Sequence, residues 1–516
     1  MPGVLLLSFL FILFVGTALY ERGRRKKLEL PSLGFRGIWS SYASSVTDCF
    51  RANAAIQEGC RRYGNRLFTF AQVGQWVVVV KAKEHVKDFY NAPENVLSME
   101  MAAEELLQLH HTVGRQFCDE TYHISAIKTS LNQNLGSILP EMVDEIVSGY
   151  ADVVDSQFSD NTEEWKPIRA LDSFTRIICR SSNRVFVGLP LCRDEDYCQL
   201  ASQFSTNVLV CGPMIKFLLP AFLRPLAGAV FKAVFRHHKR ILGHLLPLIE
   251  QRKQRRYELG AEKIQNDMLT WLMDTAPVGH EYSADSLAMR MLNVNFVAVH
   301  TTSKTFTHAL YHLASKPSYI PILRAEAQNY LGKGEPTNWS KEALGRCIKL
   351  DSFLKESQRL NGMGALWMPR MAVDDFTFSD GTKIVPGTFV ATAATAIHED
   401  EEIYERPLEF EGLRFSSARE LRNDPGDLDK FEPDSENDWK YRLTGTSPHC
   451  LSFGGGRHIC PGRFFASLEL KCLMAYLVLH YDVKTPVEGV RPPDDWFGPT
   501  SHPSRNAEIL FRRILP

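Results

Sequence analysis

The chain of 516 residues is 44% hydrophobic and carries 59 Lys and Arg against 60 Asp and Glu, a formal net charge of -1. That balance excludes a nucleic-acid binder, which needs a basic excess for its phosphate contacts, and the apolar content excludes intrinsic disorder. The length sets a soft prior of about three domains, and 11 cysteines without a CxxC pair read as mostly reduced thiols in a cytosolic setting.

Residues 4–20, VLLLSFLFILFVGTALY, are apolar apart from one Ser and one Thr, and Arg22, Arg24, Arg25, Lys26 and Lys27 follow at once. At a rise of about 1.5 Å per residue the run is close to the shortest helix that crosses a bilayer. A cleaved secretory signal would carry its charge before the apolar stretch. Charge after it holds that end in the cytosol by the positive-inside rule. The expectation is a transmembrane signal anchor over residues 1–21 and a basic stop-transfer and hinge over 22–34, ending in Leu30-Pro31-Ser32-Leu33-Gly34. A single domain over 35–516 follows. The sequon at Asn338-Trp339-Ser340 would then stay unmodified.

Along the body, residues 66–90 read as two short strands followed by a helix, and helical patterns cover His123–Val154 and Arg236–Glu258. Asp380-Gly381 between Phe376/Phe378 and Ile384/Val385 signals a hairpin. Residues 418–447, rich in Asp, Glu, Arg and Pro without period, read as a long ordered loop. The sum is one large, mainly α domain with a small β subdomain.

Two helices place polar residues where a packed core would not want them. Ser283 as N-cap and Pro317 as stop bracket an interval without Gly or Pro, whose middle reads Phe296-Val297-Ala298-Val299-His300-Thr301-Thr302-Ser303. Small side chains there let something bulky approach. The bland alternative is a core helix whose hydroxyls bond back to carbonyls one turn earlier. Farther on, Glu356 and Arg359 are spaced to meet on one helix face, a pair that is commonplace when exposed.

The segment Phe453-Gly454-Gly455-Gly456-Arg457-His458-Ile459-Cys460-Pro461-Gly462-Arg463-Phe464 places one cysteine on a glycine-rich loop just before a helix. Glycines allow tight turns and close approach to a flat ligand, and the helix N-terminus favours a thiolate. Phe453 would pack beneath such a ligand, and His458 or Arg457 would pair with a carboxylate. Cys450, Cys460 and Cys472 lack zinc spacing. An axial haem thiolate suits the loop best.

At Phe453, Gly454, Gly456, His458, Cys460 and Gly462 the segment resembles the haem-binding signature of the cytochrome P-450 family. Glu356 and Arg359 resemble the family's ExxR pair, with Arg414 of Phe410-Glu411-Gly412-Leu413-Arg414-Phe415 as third partner and Gly412 where proline is usual. Val297-Ala298-Val299-His300-Thr301 aligns with its Ala-Gly-x-acid-Thr pattern, His300 replacing the acid. Arg370 resembles the arginine that pairs with a haem propionate. The Trp-x-x-x-Arg element is not recognisable, and His123 and Lys128 are poor substitutes.

The resemblance implies a cytochrome P-450 fold preceded by one N-terminal transmembrane helix, and haem b with Cys460 as axial iron ligand. It implies Ala298 as the small residue beside the haem, and Thr301 with His300 as the proton-handling pair. Electrons would come from NADPH through a separate reductase, with cytochrome b5 as a second donor. The setting would be the endoplasmic reticulum membrane, the body facing the cytosol. GRHICPGRFFASLELK and FVAVHTTS look like fungal membrane-bound members that decorate terpenoids in secondary metabolism. The apolar stretch Val208–Val234 suits a lipophilic substrate. A reductase-independent haem-thiolate isomerase or dehydratase and a haem sensor are the competing classes. The retained Thr301 speaks against the first and the lack of a partner module against the second.

Overall fold

The computed structural model describes residues 30–33 and 51–514, apart from 73–74, 115–119, 159–163, 260–264, 278, 333–335, 337–338 and 421–437. The expected anchor and most of its hinge lie outside the described residues. Among those described, no helix is long and apolar enough to cross a membrane.

A six-stranded sheet has the order β1 (Ser32–Leu33), β2 (Phe68–Gln72), β3 (Gln75–Val80), β9 (Phe389–Thr392), β6 (Trp367–Ala372) and β4 (Leu97–Ser98). β2 and β3 pair antiparallel with Phe68 opposite Val79, and β3 runs parallel to β9 with Val77 opposite Phe389. Val77 to Val80 are all buried, so both faces of this β-branched strand are covered. β6 pairs antiparallel with β9 but slips in register between Trp367 and Arg370, where Met368 has a φ of 57° and Pro369 cannot donate. The alternation along β6 buries Met368, Arg370 and Ala372 on one face.

The expected hairpin forms between β7 (Phe376–Thr377) and β8 (Lys383–Ile384), turning at Gly381. β5 (Lys166–Arg169), β10 (Tyr481–Lys484) and β13 (Glu508–Arg513) make a three-stranded sheet, while β11 (Asp494–Phe497) and β12 (Thr500–Pro503) form a hairpin.

Helices supply the bulk. α1 (Lys83–Asn91) follows the β2–β3 pair as expected. The pattern over 123–154 is broken: a turn at Tyr122–Ala126 passes into a π-turn at Ile127–Leu131 before α2 (Leu135–Val153). Asn132 and Asn134 interrupt it, because their side-chain amides bond back to the carbonyls of Lys128 and Ser130 and compete with the backbone ladder. α3 (Ala170–Phe186), α4 (Glu195–Leu218), α5 (Arg224–Phe235) and α6 (His237–Leu259) lead to the 32-residue α7 (Ala284–Ser315). Ser283 caps α7, its hydroxyl accepting from the Ser286 amide at 3.2 Å. α8 (Tyr319–Leu331), α9 (Ile348–Leu360), α10 (Ala394–His398), α11 (Arg414–Glu420) and α12 (Arg463–His480) complete the set used below.

The stretch expected as loop from residue 418 begins inside α11, because Phe415 is buried and its amide donates to Ser352 Oγ at 3.0 Å. One contiguous apolar core runs from Leu109 to Phe511, with α7 and α12 passing through it. The nine described cysteines are free.

Candidate active site

The loop that carries Cys460 is closed by the Cys460 amide donating to the Phe453 carbonyl at 2.8 Å. Gly454 and Gly456 take φ values of 72° and 60°, so the turn requires glycine there. At Gly455 and Gly456 the close approach is to the protein itself. A Cβ on Gly455 would lie 2.0 Å from the Tyr90 ring, and one on Gly456 would lie 2.4 Å from the Tyr90 carbonyl. These two glycines seat the loop on the end of α1. Asn132 steadies the far side by donating to the Pro461 carbonyl at 3.3 Å, a contact that no motif announces.

Cys460 stands three residues before α12. Burial raises its thiol pKa, while the amides of Gly462 and Arg463 and the Arg463 guanidinium favour the thiolate. Sγ thus meets the donors an anionic sulfur needs, on a side chain left half-buried. Phe453 packs from the same loop against the main core. His458 finds a carboxylate within the chain: its Nε2 lies 2.9 Å from Glu94 Oε2. Burial works against the Glu94 anion, but hydrogen bonds from His458, Ser98 and the amides of Glu100 and Met99 outweigh it and pull the pKa down to about 2. Arg457 is exposed.

Arg370, on the irregular stretch of β6, is fully buried. One nitrogen donates to the Phe89 carbonyl, and the guanidinium lies 4.3 Å from the centre of the Phe89 ring. Its Nε and Nη2 meet no acceptor among the described residues. Burial lowers its pKa to about 10. A buried cation with unspent donors calls for an anion.

In α9, Arg359 grips Glu356 with two bonds of 2.8 Å, and Arg414 Nε adds a third at 3.0 Å. Glu356 and Arg359 are wholly enclosed, unlike an ordinary surface pair. Arg359 also donates to the carbonyls of His398 and Pro407 at 2.6 and 2.7 Å. Gly412, where proline was expected from the family pattern, donates its amide to the Tyr319 hydroxyl at 3.0 Å.

α7 is buried for most of its length, but its middle opens along one side at Val297, Thr301, Lys304 and Thr305. Thr301 Oγ1 donates to the Val297 carbonyl at 2.8 Å, and Ser303, Thr305 and Thr307 repeat that back-bonding. The hydroxyls thus satisfy the helix, as the back-bonding reading expects, and Thr301 is exposed. Ala298 lies beside it, half-buried. His300 donates from Nε2 to the Ser202 carbonyl of α4 at 3.0 Å, and burial lowers its pKa.

A small pocket adjoins this face, lined by Thr305, His308, Arg359, Trp367, His398 and Leu451 among others. Neither Thr301 nor Cys460 lines it. His123 lies 3.1 Å from Arg290 and Lys128 is exposed, so neither has the setting of an anion clamp. No group of metal-ligating residues occurs among the described residues.

The thiol cradled by amides at the start of α12 and the unspent donors of Arg370 suit a thiolate-ligated haem. The family model described as cytochrome P450 matches residues 52–511, and the chain belongs to that family. Its members are oxidoreductases that incorporate oxygen from O2.

Similar proteins include cytochrome P450 monooxygenase 151 of Postia placenta, 37% identical with 94% of this chain and 93% of the relative covered. Monooxygenase 103 of the same fungus is 35% identical over 99% of each. Monooxygenase CYP512U6 of Ganoderma lucidum is 28% identical over 90% of this chain and 86% of its own.

Proposed function

We propose that the chain is a membrane-anchored monooxygenase of fungal secondary metabolism that inserts one oxygen atom into a C–H bond of a lipophilic small molecule, a terpenoid by preference. Residues 1–21 would anchor it in the endoplasmic reticulum, residues 22–34 would form the stop-transfer and hinge, and 35–516 would form the catalytic domain. NADPH would supply electrons through a partner reductase, with cytochrome b5 as a second donor.

The observation that carries this reading is the environment of Cys460 Sγ, which faces the Gly462 and Arg463 amides at the start of α12. Bound haem b supplies the chemistry of dioxygen activation and C–H oxidation. The chain's own residues hold and shield it. Cys460 provides the sulfur, and the loop of Phe453, Gly454, Gly456 and Gly462 keeps that sulfur in place. The unspent Nε and Nη2 of Arg370 are suited to a propionate. His458, held by Glu94, fixes the loop to the chain between α1 and β4. Ala298 leaves room at the α7 face.

Thr301, on the open face, is suited to orient water and pass protons toward the reacting centre. His300 has committed its Nε2 proton to Ser202, which leaves Nδ1 as its acceptor. The exposed apolar side chains Leu209, Val210, Met214, Phe222, Leu226, Val230 and Val234 on α4, α5 and their link support a membrane-drawn substrate.

The test is spectroscopic. Reduced protein under carbon monoxide is expected to give the red-shifted Soret band of thiolate-ligated haem, and Cys460→Ser to lose it. An unshifted band in the wild type would sink the reading. Turnover with a reductase and a panel of terpenoids then addresses the substrate.

A further inference from the structure

Three basic side chains gather on one flank of the open face of α7. Lys304 lies one helical turn after His300, and His502 reaches in from β12, its Nε2 3.5 Å from Lys304 Nζ. On a helix, Lys304 stands about 60° round the axis from Thr301 and about 20° from Val297, well inside the accessible arc. Helical side chains also lean toward the N-terminus, which carries the Lys304 amine back toward the turn of His300 and Thr301.

No carboxylate lies within ion-pair reach of Lys304 among the described residues. Asp494 on β11 is already engaged. It accepts from Arg491 at 2.9 Å and from Asn361 at 2.6 Å, and it faces His308 Nδ1 at 3.5 Å. His300 and His308 on α7, His502 on β12 and Arg491 surround Lys304 with basic groups, while Asp494 and Asp495 on β11 are the acids of the packed hairpin, Asp495 standing opposite His502.

We propose that Lys304, seconded by His502, anchors a carboxylate on an otherwise apolar substrate, so that the enzyme selects lipophilic acids over their neutral counterparts.

Burial supports this placement. It lowers the Lys304 pKa to about 8 and, with Lys304 and His300 nearby, the His502 pKa to about 4. The amine is thus costly to charge alone, and an arriving anion relieves that cost. His502, neutral, can donate to the same anion once its ring is free of Lys304. A carboxylate held there would fix one end of the substrate and leave its apolar body along Val297, Thr301 and Ala298. The proposal rests on the monooxygenase reading above and narrows its substrate class.

The test measures binding to the haem-loaded full chain. Dodecanoate and abietate, each against its methyl ester, are titrated by equilibrium dialysis, with haem content and the carbon monoxide spectrum recorded in parallel. At least one acid is expected to bind about tenfold or more tighter than its ester. Lys304→Met should erase that preference while keeping ester affinity within about threefold, and Lys304→Arg should retain it. His502→Leu should weaken acid binding alone. Equal binding of acid and ester, no saturable binding of either acid, or an unchanged preference in Lys304→Met overturns the proposal. A protein without the thiolate spectrum would instead overturn the monooxygenase reading on which it stands.

Discussion

His398 Nε2 accepts a hydrogen bond from the Leu451 amide at 2.9 Å, which ties the end of α10 to the approach of the Cys460 loop. The other ring nitrogen donates to the Arg359 carbonyl at 3.0 Å. One buried imidazole therefore links the Glu356–Arg359 pair to the strand of chain that delivers the thiol. Burial and the Arg359 charge push its pKa to about 3, so the ring stays neutral with its proton on Nδ1.

His398→Ala leaves a buried amide and a buried carbonyl short of partners, at a cost of about 1–3 kcal/mol for each. Expected outcomes are a lower midpoint in urea unfolding and faster haem loss to an acceptor such as apomyoglobin. Retention of haem equal to wild type would show that the imidazole does not hold the loop.

Gly412 offers a test against the family pattern. A Cβ there would lie 2.6 Å from Phe353 Cδ2, and proline would also remove the amide that donates to the Tyr319 hydroxyl. Gly412→Ala is expected to destabilise by about 1–3 kcal/mol through overpacking. Gly412→Pro should cost more, and Gly412→Ala combined with Phe353→Leu should recover part of the loss. Thermal unfolding of the three variants decides it.

Glu469 on α12 is wholly buried and accepts from Ser181 and Ser182 of α3, and burial raises its pKa to about 7. The folded state therefore holds this proton more tightly than the unfolded state. Stability falls as pH rises from about 4.5 to about 7, by an order of 3 kcal/mol, and is flat beyond. Glu469→Gln should remove that decline, so its melting temperature exceeds the wild type's at pH 8 and matches it near pH 4.5. The reverse order would exclude burial as the dominant influence.

Thr301 and His300 separate by function. Thr301→Ala removes the hydroxyl on the open face and is expected to raise peroxide release per NADPH on the order of tenfold, in keeping with a lost proton-transfer group. His300→Ala should raise it by a smaller factor, because His300 also fastens α7 to α4 through the Ser202 carbonyl. If His300→Ala leaves leakage unchanged, the imidazole is only a fastener.

Much of the site was legible before any fold was known, because its chemistry is local. Cys460 needs a turn made by Gly454 and Gly456, and Ser283 caps a long helix whatever packs around it. The hairpin at Asp380-Gly381 follows from the same short-range preferences. Residues that act across the chain left no such mark. Asn132 lies 329 positions from Pro461, and His398 lies 53 from Leu451, so neither spacing has a period to read. The broken helix at Asn132–Asn134 was hidden for the same reason, since apolar periodicity does not register a side chain that bonds back to the backbone.

The sequence by itself determined the class of enzyme, through one cysteine on a glycine-rich turn, and the mainly helical character of the body. Only the tertiary structure decided which charges are buried together. Glu356 and Arg359 could have been a surface pair, and Lys304 an ordinary exposed lysine. Burial turned the first into an enclosed clamp and lowered the pKa of the second to about 8. The energy of a charge is set by what replaces its water, and that depends on residues hundreds of positions away.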